Sequence, residues 1–205
     1  MAVINGYCAV ADLQARLASS GVTLSQPITV LENVITAVSR EIDQQTNRRF
    51  YAASETHYFT ARYMDVLYVP DLLSIDPSGL ATDLDGSRTY GQIWATTDYD
   101  LEPYNAQLDS QPKPYTHIST TPLGLQFFPA GMRKGVKVSG SWGFSATTPP
   151  VITEVTILAC SRLLRRPDSP LGVAGSDAAG GVIRLTLQDP DIKRMLLPFK
   201  RWQVG

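Results

Sequence analysis

The sequence has few of the residues on which metal sites and covalent chemistry depend. Its 205 residues include two cysteines and two histidines. Cys8 and Cys160 lie in apolar, helix-like segments without metal-ligand spacing, so they are predicted to be buried free thiols rather than a zinc site or a disulfide. His57 and His117 have no cysteine or histidine near them in the sequence. These absences predict a protein without a metal ion or a cofactor.

Long hydrophobic runs are also missing. No apolar stretch approaches the ~20 residues that a membrane helix needs, and the N-terminus lacks the basic and then apolar pattern of a signal peptide. We therefore expect a protein that is made in the cytoplasm and does not contact a membrane. Its hydrophobic content of 43% is ordinary for a folded domain with a core.

Sequence motifs of catalysis are absent as well. Gly140-Ser141-Trp142-Gly143 comes nearest to the G-x-S-x-G turn of serine hydrolases, but the spacing is wrong, and a strand that ends on a buried tryptophan explains it. Neither of the glycine-rich phosphate-binding motifs is present. Asp83-x-Asp85-Gly86 resembles the opening of a calcium loop, yet its twelfth position is Trp94 instead of glutamate, which favours a turn. The sequence predicts no enzymatic activity.

Charge is distributed unevenly along the chain. The formal net charge is -1, but residues 1–159 contain 10 Lys and Arg against 15 Asp and Glu, whereas residues 160–205 contain 8 against 4. A basic C-terminal portion suits contact with phosphates or with an acidic protein surface, and it equally suits a solvated helix face.

Helical periodicity is present at both ends of the chain. Apolar residues recur every three to four positions in 10–17, 28–46 and 151–165, which predicts three helices. The second helix begins either at an early cap formed by Ser25 and Pro27 or one turn later, at the capping box Thr29-x-x-Glu32.

A last helix is predicted near the C-terminus. Asp189 is expected to cap it, and Pro190 suits its first position, where no backbone donor is needed. Pro198 predicts an imperfect final turn.

Between residues 51 and 148 the periodicity changes and turn residues become frequent. Short strands with turn chemistry between them predict an inserted antiparallel β domain, either a sandwich or a barrel. Asp85-Gly86 is the best candidate for a hairpin turn. The predicted strands are Thr56–Ala61, Val66–Val69, Ile93–Thr96, Tyr99–Leu101, Leu125–Phe128 and Val136–Trp142.

Together these elements predict an α+β fold: a small helical bundle core, the inserted β domain, and a C-terminal strand plus helix. Residues 1–50 are the first part of the helical core, 51–148 the β domain, and 149–205 the second part of the core. Within this last part, 167–181 is rich in Pro, Gly, Ser and Ala and is predicted to be a flexible loop before a strand at Val182–Leu187.

Two arginine pairs and one aromatic cluster each have two interpretations. Arg48-Arg49 and Arg165-Arg166 close helices, where cations complement the negative end of the helix dipole, or they contact DNA or a neighbouring subunit. Core packing is the preferred role of the aromatic cluster, although its interleaving with Arg62 also suits base stacking. The cluster consists of Tyr51, Tyr58, Phe59 and Tyr63.

Four segments follow one another in a characteristic order. They are 7–17 (YCAVADLQARL), 37–50 (AVSREIDQQTNRRF), 138–144 (VSGSWGF) followed by Pro149-Pro150, and 165–175 (RRPDSPLGVAG). In residue identity and order they resemble the head–tail connector (adaptor) family of long-tailed double-stranded DNA bacteriophages. The resemblance covers nearly the whole chain, but it is loose between residues 61 and 135. Residues 8–11 depart from it, since such proteins often have a Ser or Thr helix cap there.

The resemblance implies a non-enzymatic virion protein of the neck that is assembled in the host cytoplasm. It implies a homo-oligomeric, dodecameric ring docked on the portal protein. Such a ring extends the channel for genomic DNA and provides the attachment surface for the tail or the next neck protein. Contact with DNA would be weak and non-specific, because the DNA must slide.

Under this interpretation the basic C-terminal portion binds the portal or a neighbouring subunit. Arg48 and Arg49 are the candidates for contact with DNA in the channel. The candidate partner-binding residues are Arg165, Arg166, Leu171, Val173, Arg194, Phe199, Lys200, Arg201 and Trp202.

Two other interpretations stay open. A stopper or tail-terminator subunit would share the ring but lie lower in the neck, and co-purification with the portal would separate the two roles. A carbohydrate- or peptide-binding module would need an exposed aromatic platform, for which Tyr90, Trp94 and Tyr99 are the candidates. An enzyme is disfavoured because no base, nucleophile or metal cluster is recognisable.

Overall fold

The chain forms two compact units in a computed structural model that describes residues 3–19, 21, 26–108, 112–122, 124–165, 173–176, 182–184 and 189–201. The helical unit comprises Met1–Arg48 and Thr148–Gly205, and the β unit comprises Arg49–Thr147. Helices and an antiparallel sheet occur in the same chain, so the predicted α+β class is confirmed.

The apolar stripes that predicted helices are buried in the helical unit. The core residues are Leu13, Leu17, Leu31, Ile35, Val38, Ile42, Ile152 and Val155. Among the described residues, no helix is both long and apolar enough to cross a membrane. The elements are α1 Val10–Ser19, α2 Ile28–Thr46, α3 Pro150–Arg165, α4 Pro190–Leu196 and a 3₁₀ turn, Leu197–Phe199.

The start of α2 differs from one of the two predictions. Its N-cap is Pro27, whose side chain has no polar atom with which to cap the helix. Thr29 lies inside the helix, so the capping box with Glu32 is wrong. The restricted φ of proline, -57° here, directs the chain into the first turn without a side-chain cap. At the other end, Asn47 adopts a left-handed conformation with φ 52°.

Cys8 and Cys160 meet inside the helical unit although they are far apart in the sequence. Both are buried free thiols, as predicted. A hydrogen bond between the two sulfur atoms, together with burial, raises the pKa of the Cys160 thiol. Cys160 therefore stays protonated and behaves as a small apolar core residue.

An antiparallel sheet forms the β unit. The described residues give the strand order β1-β6-β2-β5-β4, with β3 paired to β2. This arrangement is one open sheet in place of the predicted sandwich or barrel. The strands are β1 Ala53–Phe59, β2 Val66–Thr82, β3 Gln92–Ile93, β4 Tyr99–Glu102, β5 Tyr115–Thr120 and β6 Val136–Trp142.

One face of the sheet carries the core of the β unit. Leu67 of β2 lies opposite Ile118 of β5, which lies opposite Leu101 of β4, so these three side chains share that face. Trp142 and Phe128 belong to the same core and are almost completely buried. The strand predicted at Leu125–Phe128 is wrong, because this segment forms no ladder and Leu125 is 95% exposed.

Two short strands that follow α3 in the sequence pair with each other. They are β7 Val173–Ser176 and β8 Val182–Arg184, paired antiparallel. Val173–Ser176 falls within the segment that was predicted to be a loop, and β8 covers the described part of the predicted strand. The rest of 166–188 lies outside the described residues.

Candidate functional site

The last described residues of the chain are anchored on the C-terminal end of α2. The backbone N–H of Arg201 donates to the carbonyl oxygen of Thr46 at 2.8 Å. Asn47 Nδ2 donates to the carbonyl oxygen of Arg201 at 3.3 Å. Because the last carbonyl groups of a helix lack partners within that helix, this contact satisfies one of them and fixes the end of the basic segment.

Asp189 orients α4. Its carboxylate accepts the backbone N–H of Asp191 at 2.7 Å, as an N-cap does, and Pro190 follows in the first turn. The same carboxylate forms an ion pair with Arg162 of α3. Both sequence predictions for this helix start are confirmed, and the 3₁₀ turn at Leu197–Phe199 matches the imperfect end predicted from Pro198.

We expect Asp189→Ala to destabilise α4 by about 1 kcal/mol, because the substitution removes the cap. Asp189→Asn is the matched control: it keeps the capping oxygen and removes the charge that faces Arg162, whose side chain is half exposed. Amide hydrogen exchange of 190–199 measures the effect. Faster exchange is expected in the alanine variant and little change in the asparagine variant. Equal effects in the two variants would contradict a capping role.

The structure describes part of the predicted partner-binding set. Phe199 and Arg201 are half-buried, and Arg201 lies beside the end of α2. Lys200 is exposed, and Arg165 is exposed at the end of α3. The backbone of Val173 lies in β7. The other predicted members, Arg166, Leu171 and Trp202, lie outside the described residues.

Three residues of α4 and its 3₁₀ turn form an exposed surface that we call the cationic face: Lys193, Arg194 and Leu197. Their spacing of one and three residues places them on one side of the helical segment. Arg194 has 80% of its side chain exposed and makes a 3.5 Å ion pair with Asp191. Leu197 is 60% exposed and lies on the same side as the two cations. The face thus combines positive charge with an apolar anchor.

Of the two candidates for DNA contact, Arg49 has its guanidinium paired within the chain. Arg49 makes a two-pronged ion pair with Glu55, with N···O distances of 2.7 and 3.0 Å. This guanidinium, with a further hydrogen bond from His57, lowers the pKa of the Glu55 carboxyl to about 2. Arg48 donates its backbone N–H to Asp43 at the end of α2. Glu55 neutralises the charge of Arg49 within the β unit, and this pairing argues against contact of Arg49 with phosphate.

The predicted aromatic platform is wrong. Trp94 is only 2% exposed, its ring stacks on Phe128 at 4.6 Å, and its indole N–H donates to Thr82 Oγ1 at 3.1 Å. Tyr99 is partly buried against the same core, and Tyr90 donates its hydroxyl to the carbonyl oxygen of Lys134. These side chains build the β unit and offer no flat surface to a ligand.

A different set of side chains is exposed: Tyr63, Met64 and Tyr68, which we call the tyrosine patch. Their exposed fractions are 50%, 56% and 65%, and the two tyrosine rings lie 6.5 Å apart. Core packing was predicted for Tyr63 and also for Tyr58, which is 50% exposed, and it is wrong for both. Sequence reasoning also missed Tyr68. It alternates with the apolar Leu67 and Val69, which are buried, and this alternation places Tyr68 on the outer face of the sheet.

Carboxylates flank the tyrosine patch. Tyr68 lies opposite His117, with ring centroids 5.7 Å apart, and His117 lies opposite Glu102. His117 and Glu102 are joined by a 2.9 Å contact. Hydrogen bonds from Ser119 and His117 lower the pKa of the Glu102 carboxyl, which is therefore ionised at neutral pH. Asp65, next to Met64, is exposed.

Two acidic or serine-containing motifs have structural roles. Asp83 accepts the backbone N–H groups of Asp85, Gly86 and Arg88 at 3.2, 2.9 and 2.7 Å, so it organises the connection between β2 and β3. Gly140-Ser141-Trp142 lies in β6 and ends on a buried tryptophan, as predicted. In the described part of the chain no group of His, Cys, Asp or Glu is arranged to hold a metal ion.

Comparison with known proteins identifies relatives by fold. No family model and no curated protein matches the sequence. A chain from the neck of an empty gene transfer agent particle, computed with C6 symmetry, matches with a TM-score of 0.62 and 15% identity. The alignment covers 100% of this chain and 95% of that one. The two chains share a fold.

Two further structures give the same result. A chain from the neck of a native particle, computed with C12 symmetry, has a TM-score of 0.58 and 16% identity over 100% of this chain and 94% of its own. A chain from the virion of a native gene transfer agent particle has a TM-score of 0.61 and 15% identity, with 100% and 95% covered. The similarity therefore extends over both units rather than over a single motif.

Proposed function

We propose that this chain is a structural, non-enzymatic neck subunit of a phage-like particle and that it assembles into a ring. The observation that carries the proposal is the full-length similarity of fold to chains from necks with sixfold and twelvefold symmetry. Chains that share a fold do not always share a function. Here the sequence independently resembles phage connectors in the order and identity of four segments.

Within the neck, the proposed role is that of the head–tail adaptor. The ring, with twelve copies, would dock on the portal, extend the DNA channel and present the next surface to the tail. Its C-terminal element would make the contact with the portal or with a neighbouring copy. Arg165, Arg194 and Lys200 support this role because their side chains are exposed, and Arg201 is held in place by α2.

The direct test is removal of the chain from the particle that encodes it. We expect DNA-filled heads and separate tails to accumulate, because no adaptor joins them. The full-length chain supplied in trans should restore joining, whereas a chain that ends at residue 188 should not. Electron microscopy counts joined and unjoined particles.

Three outcomes would change the proposal. Normal joining without the chain would overturn the neck function. Normal joining with the truncated chain would overturn the role of the C-terminal element. Co-purification with tail components in place of the portal would assign the chain to a lower position in the neck, as a stopper or tail terminator.

A further inference from the structure

We propose that neighbouring copies of the ring bind head to tail, with the cationic face of one copy on the tyrosine patch of the next. This inference rests on the proposed ring. It names both surfaces of the contact: Lys193, Arg194 and Leu197 on one copy, and Tyr63, Met64 and Tyr68 with their flanking carboxylates on the other.

The composition of the tyrosine patch is that of a protein interface. Tyrosine and methionine are enriched where proteins bind each other, and tyrosine is among the residues that dominate binding energy. At least half of each of these three side chains is exposed. A contiguous group of exposed apolar side chains is typical of a surface that binds another protein.

Charge identifies the class of partner for this patch. Glu102 lies in the same cross-strand row as Tyr68, two strands away, which is about 10 Å at the usual strand spacing. Asp65 is exposed beside Met64, and Arg62 is the exposed cation beside Tyr63. The two carboxylates outnumber this one guanidinium at the patch, and the β unit as a whole has 10 Asp and Glu against 7 Lys and Arg. A partner with an apolar anchor between positive charges fits this surface, and tyrosine faces also attract cations.

The cationic face has the complementary arrangement within the same chain. Lys193 and Arg194 precede the exposed Leu197 by four and three residues, so charge and anchor lie on one side. Asp189 and the contact of Arg201 with α2 fix the orientation of the segment. This fixed orientation reduces the entropy lost on binding.

Two different surfaces that fit each other satisfy the geometric requirement of a ring. Cyclic symmetry above twofold needs a heterologous contact, in which one surface of each copy binds another surface of its neighbour. A contact of the patch with a second patch would bring like charges together and would stop at a dimer. Opposite charges on the two surfaces favour the head-to-tail contact and disfavour the symmetric one.

A zero-length cross-link tests the contact directly. A carbodiimide condenses a carboxylate with an amine, with loss of water, only when the two groups touch. In a concentrated equimolar mixture of unlabelled and ¹⁵N-labelled full-length chain, we expect mixed-isotope peptides that join Lys193 to Asp65 or Glu102. Links that occur only within one chain, or a chain that stays monomeric, would overturn the inference.

Charge reversal provides the second test. We expect Arg194→Glu and Glu102→Lys each to weaken self-association about tenfold, since each places like charges in the contact. An equimolar mixture of the two variants should assemble again, because alternating copies pair opposite charges at every contact. Arg133→Glu, an equal change at an exposed loop residue, is the control and should assemble normally. Sedimentation velocity measures the assembly.

The two proposals fail in different ways. If both charge variants assemble like the unchanged chain while particles still require the protein for head–tail joining, the contact is wrong and the neck function stands. If the mixture of variants fails to assemble although each variant is folded, the head-to-tail pairing of these two surfaces is wrong.

Discussion

Gly140→Ala is expected to destabilise the β unit by about 3 kcal/mol, because the added methyl group has no space. A Cβ atom at Gly140 would lie 2.1 Å from the carbonyl oxygen of Ser74 and 3.1 Å from the Cα atom of Ile75. Both are backbone atoms of β2, the strand that pairs with β6 at this point. Since backbone cannot rotate away as a side chain does, the two central strands must separate.

Gly91→Ala is the matched control for this substitution. No atom lies within 4 Å of the position a Cβ would take at Gly91, and its φ is not in the left-handed region. Urea unfolding followed by tryptophan fluorescence measures both variants, since Trp94 and Trp142 are buried in the β unit. A Gly140→Ala midpoint equal to that of Gly91→Ala would contradict the close approach of β2 and β6.

The helical unit was largely predictable because its signals are local. A helix repeats every 3.6 residues, so an apolar stripe such as Leu31, Ile35, Val38 and Ile42 shows the helix and its buried side together. Asp189 before Pro190 is an equally local signal, because the cap and its partner are two residues apart. The start of α2 was not predictable in the same way, since Pro27 and Thr29 each fit a first turn.

The long strand β2 was not predictable because its irregularities resemble breaks. Pro70 and Pro77 lack a backbone donor and suggest that a strand ends. The structure places each of them where the pairing register shifts, between Tyr68 and Leu72 and between Ile75 and Leu80. A proline at a bulge removes no ladder hydrogen bond. The strand therefore continues to Thr82, whereas the sequence predicted only Val66–Val69 in this region.

The candidate surfaces were only half predictable, for a related reason. The basic C-terminal segment is visible in the sequence because its charges are consecutive or nearly so. Tyr68 of the tyrosine patch lies beside His117 of β5 and near the flanking Glu102 of β4, and these residues are neighbours only through strand pairing. Strand order depends on contacts between distant segments. Composition alone cannot assign a tyrosine to the inner or the outer face.

Trp142→Ala is expected to cost about 4 kcal/mol, the largest effect of any single truncation that we predict in the β unit. Trp142 is 1% exposed and lies at the end of β6, where it is paired with Ala53 of β1 and Leu72 of β2. Its ring stacks on His57 at 4.3 Å, and its indole N–H donates to the carbonyl oxygen of Glu55 at 2.9 Å. Truncation removes the packing on both neighbouring strands at once.

Trp142→Phe separates burial from hydrogen bonding. Phenylalanine keeps most of the apolar surface but leaves the Glu55 carbonyl without the indole donor, which should cost about 1–2 kcal/mol. Guanidinium unfolding followed by circular dichroism measures both variants without depending on the lost fluorophore. Equal losses in the two variants would mean that the hydrogen bond dominates. The expected order, with alanine clearly worse, means that the tryptophan ring holds β1 and β2 against β6 and so supports the sheet that carries the tyrosine patch.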